Sequence, residues 1–160
     1  MAPAESEETS EPQAITTDTV LVIEMDGGEI AIRLRPDVAP KTCAAIAGLA
    51  RKGYYDGLTF HRVERGILIQ GGCPDGTGMG GPGFTLDAEF SSVSHVRGTV
   101  AMARRGNDIN SAGSQFYICL RPLPSLDGDY TVFGEVVRGM EVADGVGVGD
   151  VMSRVYVEGD

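Results

Sequence analysis

The apolar and polar positions change period along this chain in a readable way. In "TVLVIEMDGGEIAIRLRP" two alternating runs, Val20–Met25 and Glu29–Leu34, flank Asp26-Gly27-Gly28. Alternation predicts strands with one buried face, and the glycines supply the tight turn of a hairpin. Pro36 ends the second strand. In "APKTCAAIAGLARKG" the period lengthens to that of a helix. Cys43, Ile46, Ala47, Leu49 and Ala50 form its stripe, Pro40 suits its first turn, and Gly53 follows Lys52 as a stop. Further strands are predicted over 54–63, 66–72, 98–104, 115–120, 131–137 and 151–158, with a short helix or turn at "GMEVADGV". The expected fold is mainly β: an eight-stranded antiparallel closed β-barrel capped by about two α-helices, since closure removes exposed edges.

Composition narrows this picture. The chain has 160 residues, the size of one domain, with 42% hydrophobic and 22% charged residues. Residues 1–18 hold five acidic side chains and no Lys or Arg, and are read as a disordered acidic tail before a domain over 19–160. The net charge of −10 disfavours nucleic acid, whose phosphates such a chain repels. No apolar run approaches the ~20 residues of a membrane span, and the N-terminus lacks a basic-then-apolar signal pattern. Three widely spaced cysteines, Cys43, Cys73 and Cys119, make no disulfide framework, so the expected setting is reducing and cytoplasmic. No cluster of His, Cys and carboxylates has metal spacing, and no cofactor is expected. His95 reads as a hydrogen-bonded structural histidine. "LDAEF" reads as closing a turn.

"GLTFHRVERGILIQGG" does not fit a plain strand pair. By strict alternation Phe60 and Arg62 share one face, and Leu68 and Gln70 share another. Paired strands would set a cation and an amide beside apolar walls, which is a ligand-site pattern. Taken alone, Arg62 equally fits an exposed side chain lying along the surface, and Gln70 an ordinary sheet-face amide. The glycine-rich "CPDGTGMGGPG" that follows lacks the Lys-Ser/Thr of a nucleotide loop and reads as a close-packed turn.

The spelling of these segments resembles the cyclophilin family. "FHRVERGILIQGG", "GTGMGGPG", "GTVAMAR", "NSAGSQFYI" and "LDGDYTVFGEVVRGMEV" are similar to its successive motifs, in order, and bacterial members are the better match. The resemblance implies a peptidyl-prolyl cis–trans isomerase with a groove on the outer barrel face. It implies Arg62 as the catalytic arginine, Gln70 as its hydrogen-bonding partner, and Phe60 and His61 flanking it. It implies Ile67, Leu68, Tyr117 and Leu126 around the proline pocket, and Ala103, Arg104, Gln115, Phe116 and Tyr130 along the substrate groove. Met79 falls at the rim of a second pocket. Strict alternation would turn Ile67 away from Leu68, so its place rests on the resemblance alone.

The partners implied are proline-containing peptides and unfolded or folding proteins, met by a monomer. Three departures stand out. Ser125 occupies the position where cyclosporin-sensitive relatives carry Trp, so weak cyclosporin binding is expected. Tyr117 replaces the more usual Phe, and its hydroxyl needs a partner or water. Arg104 adds a second cation near the groove. The alternative to an enzyme is a proline-binding module with the same groove and little turnover.

Overall fold

The structure is a computed structural model that describes residues 14–160; residues 1–13 of the expected tail lie outside the described residues. Within the rest of that segment, Ile15 packs on the core, and the Thr16 N–H donates to Thr19 Oγ1 at 2.9 Å. Eight strands follow: β1 (Val20–Met25), β2 (Gly28–Leu34), β3 (Arg62–Glu64), β4 (Leu68–Gly71), β5 (Thr99–Met102), β6 (Phe116–Cys119), β7 (Val132–Arg138) and β8 (Arg154–Val157). The helices among the described residues are α1 (Pro40–Arg51), α2 (Met140–Asp144) and one 3-10 turn at Pro124–Leu126. Among the described residues, no helix is long and apolar enough to cross a membrane.

All strand pairs are antiparallel, in the order β3-β4-β6-β5-β7-β2-β1-β8. This corrects the expectation of a closed barrel: the sheet is open, because β3 and β8 do not pair. β3 has only three residues, and all three pair with β4. The seam is crossed instead by a single bridge, Thr59 to Val151. Backbone N–H groups of Gly57, Phe60, Gly149 and Met152 donate across it. The strand expected over 54–63 is shorter for the same reason. Its first half forms turns, with Asp56 N–H donating to Gly53 O and Leu58 N–H to Tyr55 O.

The core follows the period of two. Leu21, Ile23, Ile30, Ile32, Ile69, Val100, Met102, Phe116, Ile118 and Phe133 face one side of the sheet, where Ile46 and Leu49 of α1 cover them. Each such burial contributes on the order of 1.5–3 kcal/mol. The intervening residues of β4, β5 and β6 are not solvated. Leu68, Ala101, Tyr117 and Cys119, with Val132 of β7, form a second buried cluster on the opposite face. Strands buried on both faces explain why "TVAM" and "FYIC" are apolar without alternation. Glu89, from the acidic "LDAEF", supplies the missing cap of α1. Its carboxylate accepts the Lys41 and Thr42 N–H groups at 3.0 and 2.8 Å, where the N-cap Ala39 has no side chain to offer.

Candidate active site

Strand register builds one row across four strands. Arg62 of β3 opposes Gln70 of β4, Gln70 opposes Tyr117 of β6, and Tyr117 opposes Ala101 of β5. Directly opposed residues share a face with Cβ atoms about 5 Å apart. The row therefore runs from a cation, through an amide, onto the second apolar cluster. Arg62 is 52% exposed, whereas Tyr117 and Ala101 are buried. The result is a polar edge beside a dry shelf.

The polar edge is wired in one direction. Gln115 Nε2 donates to Gly78 O at 2.9 Å and Gly80 O at 3.0 Å, both in the glycine loop. Its Oε1 then faces Gln70 and accepts from Gln70 Nε2 at 3.2 Å. Gln70 is left presenting Oε1, which accepts from Arg62 at 3.1 Å. Two backbone carbonyls thus set the orientation of two amides and, through them, one guanidinium. The loop can deliver those carbonyls because Gly78 sits at φ +89°, in the left-handed region. Arg62 also pairs with Glu64, two residues along the same strand face. His61 packs toward Gly78, and its Nδ1 is buried without a hydrogen-bond partner among the described residues. Burial, then the neighbouring Arg62, lowers the His61 pKa, with Asp75 opposing. That favours a neutral ring.

The shelf is lined by Leu68, Tyr117 and Cys119, with Ile67, Ala103, Leu126 and Tyr130 packed around them. The Tyr117 hydroxyl meets His95 Nε2 at 2.8 Å. Burial pushes its pKa far up, so it stays protonated. Burial likewise pushes the Cys119 thiol to about 12, which excludes a thiolate at the bottom of the shelf. Arg104 lies over the Tyr130 ring, 4.7 Å from its centroid, and donates to the Asp129 and Arg105 carbonyls. Beyond Gln70 a cavity of about 230 Å³ opens between the glycine loop and the β5–β6 connection. Met79, Phe84, Ala103, Arg104 and Gln115 line it. A cavity of about 260 Å³ between the β1–β2 turn and α2 is lined by none of these residues.

Two expected placements need correction. Phe60 is fully buried in the main core, edge-on to Phe116 at 6.1 Å, and does not share Arg62's face. Residues 60 and 61 lie outside β3, so alternation does not carry from Phe60 to Arg62. Phe116 also points into the main core, because its β6 neighbour Tyr117 takes the outer face. Ile67 and Leu68, by contrast, both reach the shelf. Ile67 precedes β4 in a turn, where the alternation rule does not apply. Glu64 carried no role in the sequence-based expectations, although its spacing from Arg62 is the signal for a shared face. His95 and Asp127 had no readable link to Tyr117, since all three come together only through tertiary packing.

Known proteins resemble this chain over most of its length. Residues 20–157 match the family model described as cyclophilin type peptidyl-prolyl cis-trans isomerase/CLD. The chain is 49% identical over 136 residues to peptidyl-prolyl cis-trans isomerase B of Bacillus subtilis, covering 84% of this chain and 94% of that protein. It is 40% identical over 159 residues to a peptidyl-prolyl cis-trans isomerase of Helicobacter pylori, covering 97% and 96% respectively. A crystal structure of a Cryptosporidium parvum cyclophilin, determined in the presence of the dipeptide Ala-Pro, superposes with a TM-score of 0.80 at 28% identity. It covers 88% of this chain and 99% of that one. With a family match spanning all eight strands, the chain belongs to the cyclophilin-type peptidyl-prolyl cis–trans isomerases.

Proposed function

We propose that the shelf of Leu68, Tyr117, Ile67 and Leu126 holds the ring of a substrate proline while Arg62 stabilises the twisted X-Pro bond. One observation carries this reading: the register that sets Arg62, Gln70, Tyr117 and Ala101 in one row, with the guanidinium bonded to Gln70 at the edge of a dry surface. Determination of the related Cryptosporidium structure in the presence of the dipeptide Ala-Pro supports a proline-sized occupant.

The chemistry needs no covalent step and no proton transfer. A planar amide resists rotation by about 18–20 kcal/mol. In the twisted state the prolyl nitrogen becomes pyramidal and regains a lone pair. A guanidinium aimed at that nitrogen binds the twisted form better than either planar isomer, which is what lowers the barrier. Arg62 has five N–H donors in a fixed fork. Gln70 and Glu64 engage two of them, and the bond to Gln70 orients the rest. A reduction of about 7–8 kcal/mol would give roughly 10⁵–10⁶-fold acceleration. Oriented donors beside a water-poor shelf supply effects of that kind.

The clients in this reading are proline-containing segments of unfolded and folding proteins, met by a monomer in a reducing cytoplasm. Three buried free thiols, Cys43, Cys73 and Cys119, favour a reducing setting. The test is an X-Pro peptide assay, protease-coupled or by NMR exchange, comparing wild type with Arg62→Ala. Loss of about 100-fold or more in kcat/KM is expected, in line with removal of one transition-state donor. Wild-type turnover in Arg62→Ala would overturn the assignment.

A further inference from the structure

Behind the shelf, Tyr117 is joined to two side chains that the proposed chemistry does not use, His95 and Asp127. Tyr117 contacts His95 Nε2 at 2.8 Å, and His95 Nδ1 lies 3.1 Å from Asp127 Oδ1. The His95 side chain is wholly buried. A carboxylate only accepts, so Nδ1 carries the proton and Nε2 is left as an acceptor. The Tyr117 O–H must then donate to it. The His95 ring lies nearly parallel to Tyr117, at 5.9 Å and 18°. Tyr130 closes on both rings edge-on, at 6.4 Å from His95 and 5.8 Å from Tyr117.

His95 is itself fixed by main-chain bonds to the segment that carries Leu126. Its N–H donates to Asp127 Oδ1 at 2.7 Å, and its carbonyl accepts from Leu123 N–H at 2.9 Å. One buried imidazole therefore touches the floor of the shelf through Tyr117 and one wall through the Leu123–Asp127 turn. A phenol under an apolar shelf without such a partner would recruit a water or leave its hydroxyl unsatisfied, and either outcome disturbs the shelf.

We propose that Asp127 and His95 act as positioning residues for the isomerase, tethering the Tyr117 hydroxyl away from the shelf and locking Leu126 beside it. This rests on the reading that the shelf holds the prolyl ring. The tether accommodates tyrosine where a phenylalanine would need no partner. His95 and Asp127 touch no substrate in this scheme. Their effect is on how well the shelf fits proline, so it appears in KM more than in kcat.

The test is a double-mutant cycle on an X-Pro peptide. His95→Asn keeps a donor toward Asp127 but withdraws the acceptor from Tyr117. It is expected to raise KM about tenfold, the effect of one unsatisfied buried hydroxyl. In a Tyr117→Phe background the same change is expected to cost under about threefold, because no hydroxyl is left to satisfy. An equal loss in both backgrounds overturns the tether. Should His95→Asn fail to fold, the ring nitrogens of wild-type His95 decide by long-range ¹H–¹⁵N NMR. A neutral Nδ1–H tautomer, shifted by proline peptide in wild type and not in Tyr117→Phe, supports the proposal. An Nε2–H tautomer overturns it. Arg62→Ala separates the two levels. If it is inactive while His95 and Tyr117 act additively, only the tether falls. If it is fully active, the reading of the shelf falls with it.

Discussion

Arg62 and Gln70 face each other across β3 and β4, and the guanidinium donates to Gln70 Oε1 at 3.1 Å. The bond matters because Gln70 cannot turn over. Its Nε2 is committed to Gln115, which is committed to Gly78 and Gly80. Gln70→Ala should therefore loosen Arg62 without removing it. The expected outcome is a drop of about tenfold in kcat/KM, equivalent to about 1.4 kcal/mol and to one net hydrogen bond. An unchanged kcat/KM in the peptide assay would mean that Arg62 orients itself.

Glu64 holds the guanidinium that the proposed scheme offers to substrate. The pair is half-exposed, so water and salt screen it. Glu64→Gln should raise kcat/KM about two- to threefold at low ionic strength, within the energy of an exposed ion pair, and the gain should fade as salt is added. A loss of activity instead would make Glu64 a necessary brace for Arg62.

These two residues also show what was legible beforehand. Hairpin β1–β2, helix α1 and the apolar strands were readable because each has a period, and alternation allowed Arg62 and Gln70 to share a face without fixing their register. The open seam was not, since nothing local in "FHRVE" says that β3 stops at three residues. Phe60 and Phe116 were misplaced where alternation or motif position was carried past a strand end or across a two-faced strand. Glu89 capping α1 and Asp127 reaching His95 join residues more than thirty apart, and no periodicity encodes such contacts.

Ser125 stands exposed in the 3-10 turn beside Leu126, at the position where the family resemblance implies Trp in cyclosporin-sensitive members. An indole there would add apolar area and an N–H donor at the rim. Weak inhibition by cyclosporin with retained turnover is expected, and Ser125→Trp should tighten it. Nanomolar inhibition of the wild type would contradict the expectation.

Gly139 joins β7 to α2 at φ +85°, and a Cβ there would overlap the Glu29 carbonyl and lie 3.1 Å from Ile30 Cα. Both obstacles are backbone in the β2 edge of the core, so neither can move aside cheaply. Gly139→Ala should cost about 3 kcal/mol or more, combining backbone strain with overpacking. Gly27→Ala, with nothing within 4 Å of its added carbon, should change stability by about 0.5 kcal/mol or less. Urea denaturation of the two variants provides the comparison.

Stability should fall on mild acidification, and the two histidines in the chain set where. Burial lowers the His95 pKa below the ordinary 6.5; the Asp127 hydrogen bond and charge pull the other way without prevailing. Burial and Arg62 lower that of His61. Above pH 6.5 both rings are neutral whether the chain is folded or not, so they impose no penalty. Below it the unfolded chain takes up protons that the folded chain refuses, and stability declines until pH passes the lowered folded values. The depressed carboxylates Asp37, Asp75 and Asp144 act in a separate window. Their stabilisation holds above 3.8 and is lost as pH falls through their lowered values, about 2 for Asp75. Melting temperature followed from pH 8 downward should therefore show a first decline beginning near 6.5, ahead of the carboxylate one. Tyr117 and Tyr130 pack against His95, and Asp127 pairs with it. His95→Gln and His61→Asn, compared with wild type, should each flatten the first decline. A melting temperature that stays level from pH 7 to 5 in wild type would contradict the burial argument for both rings.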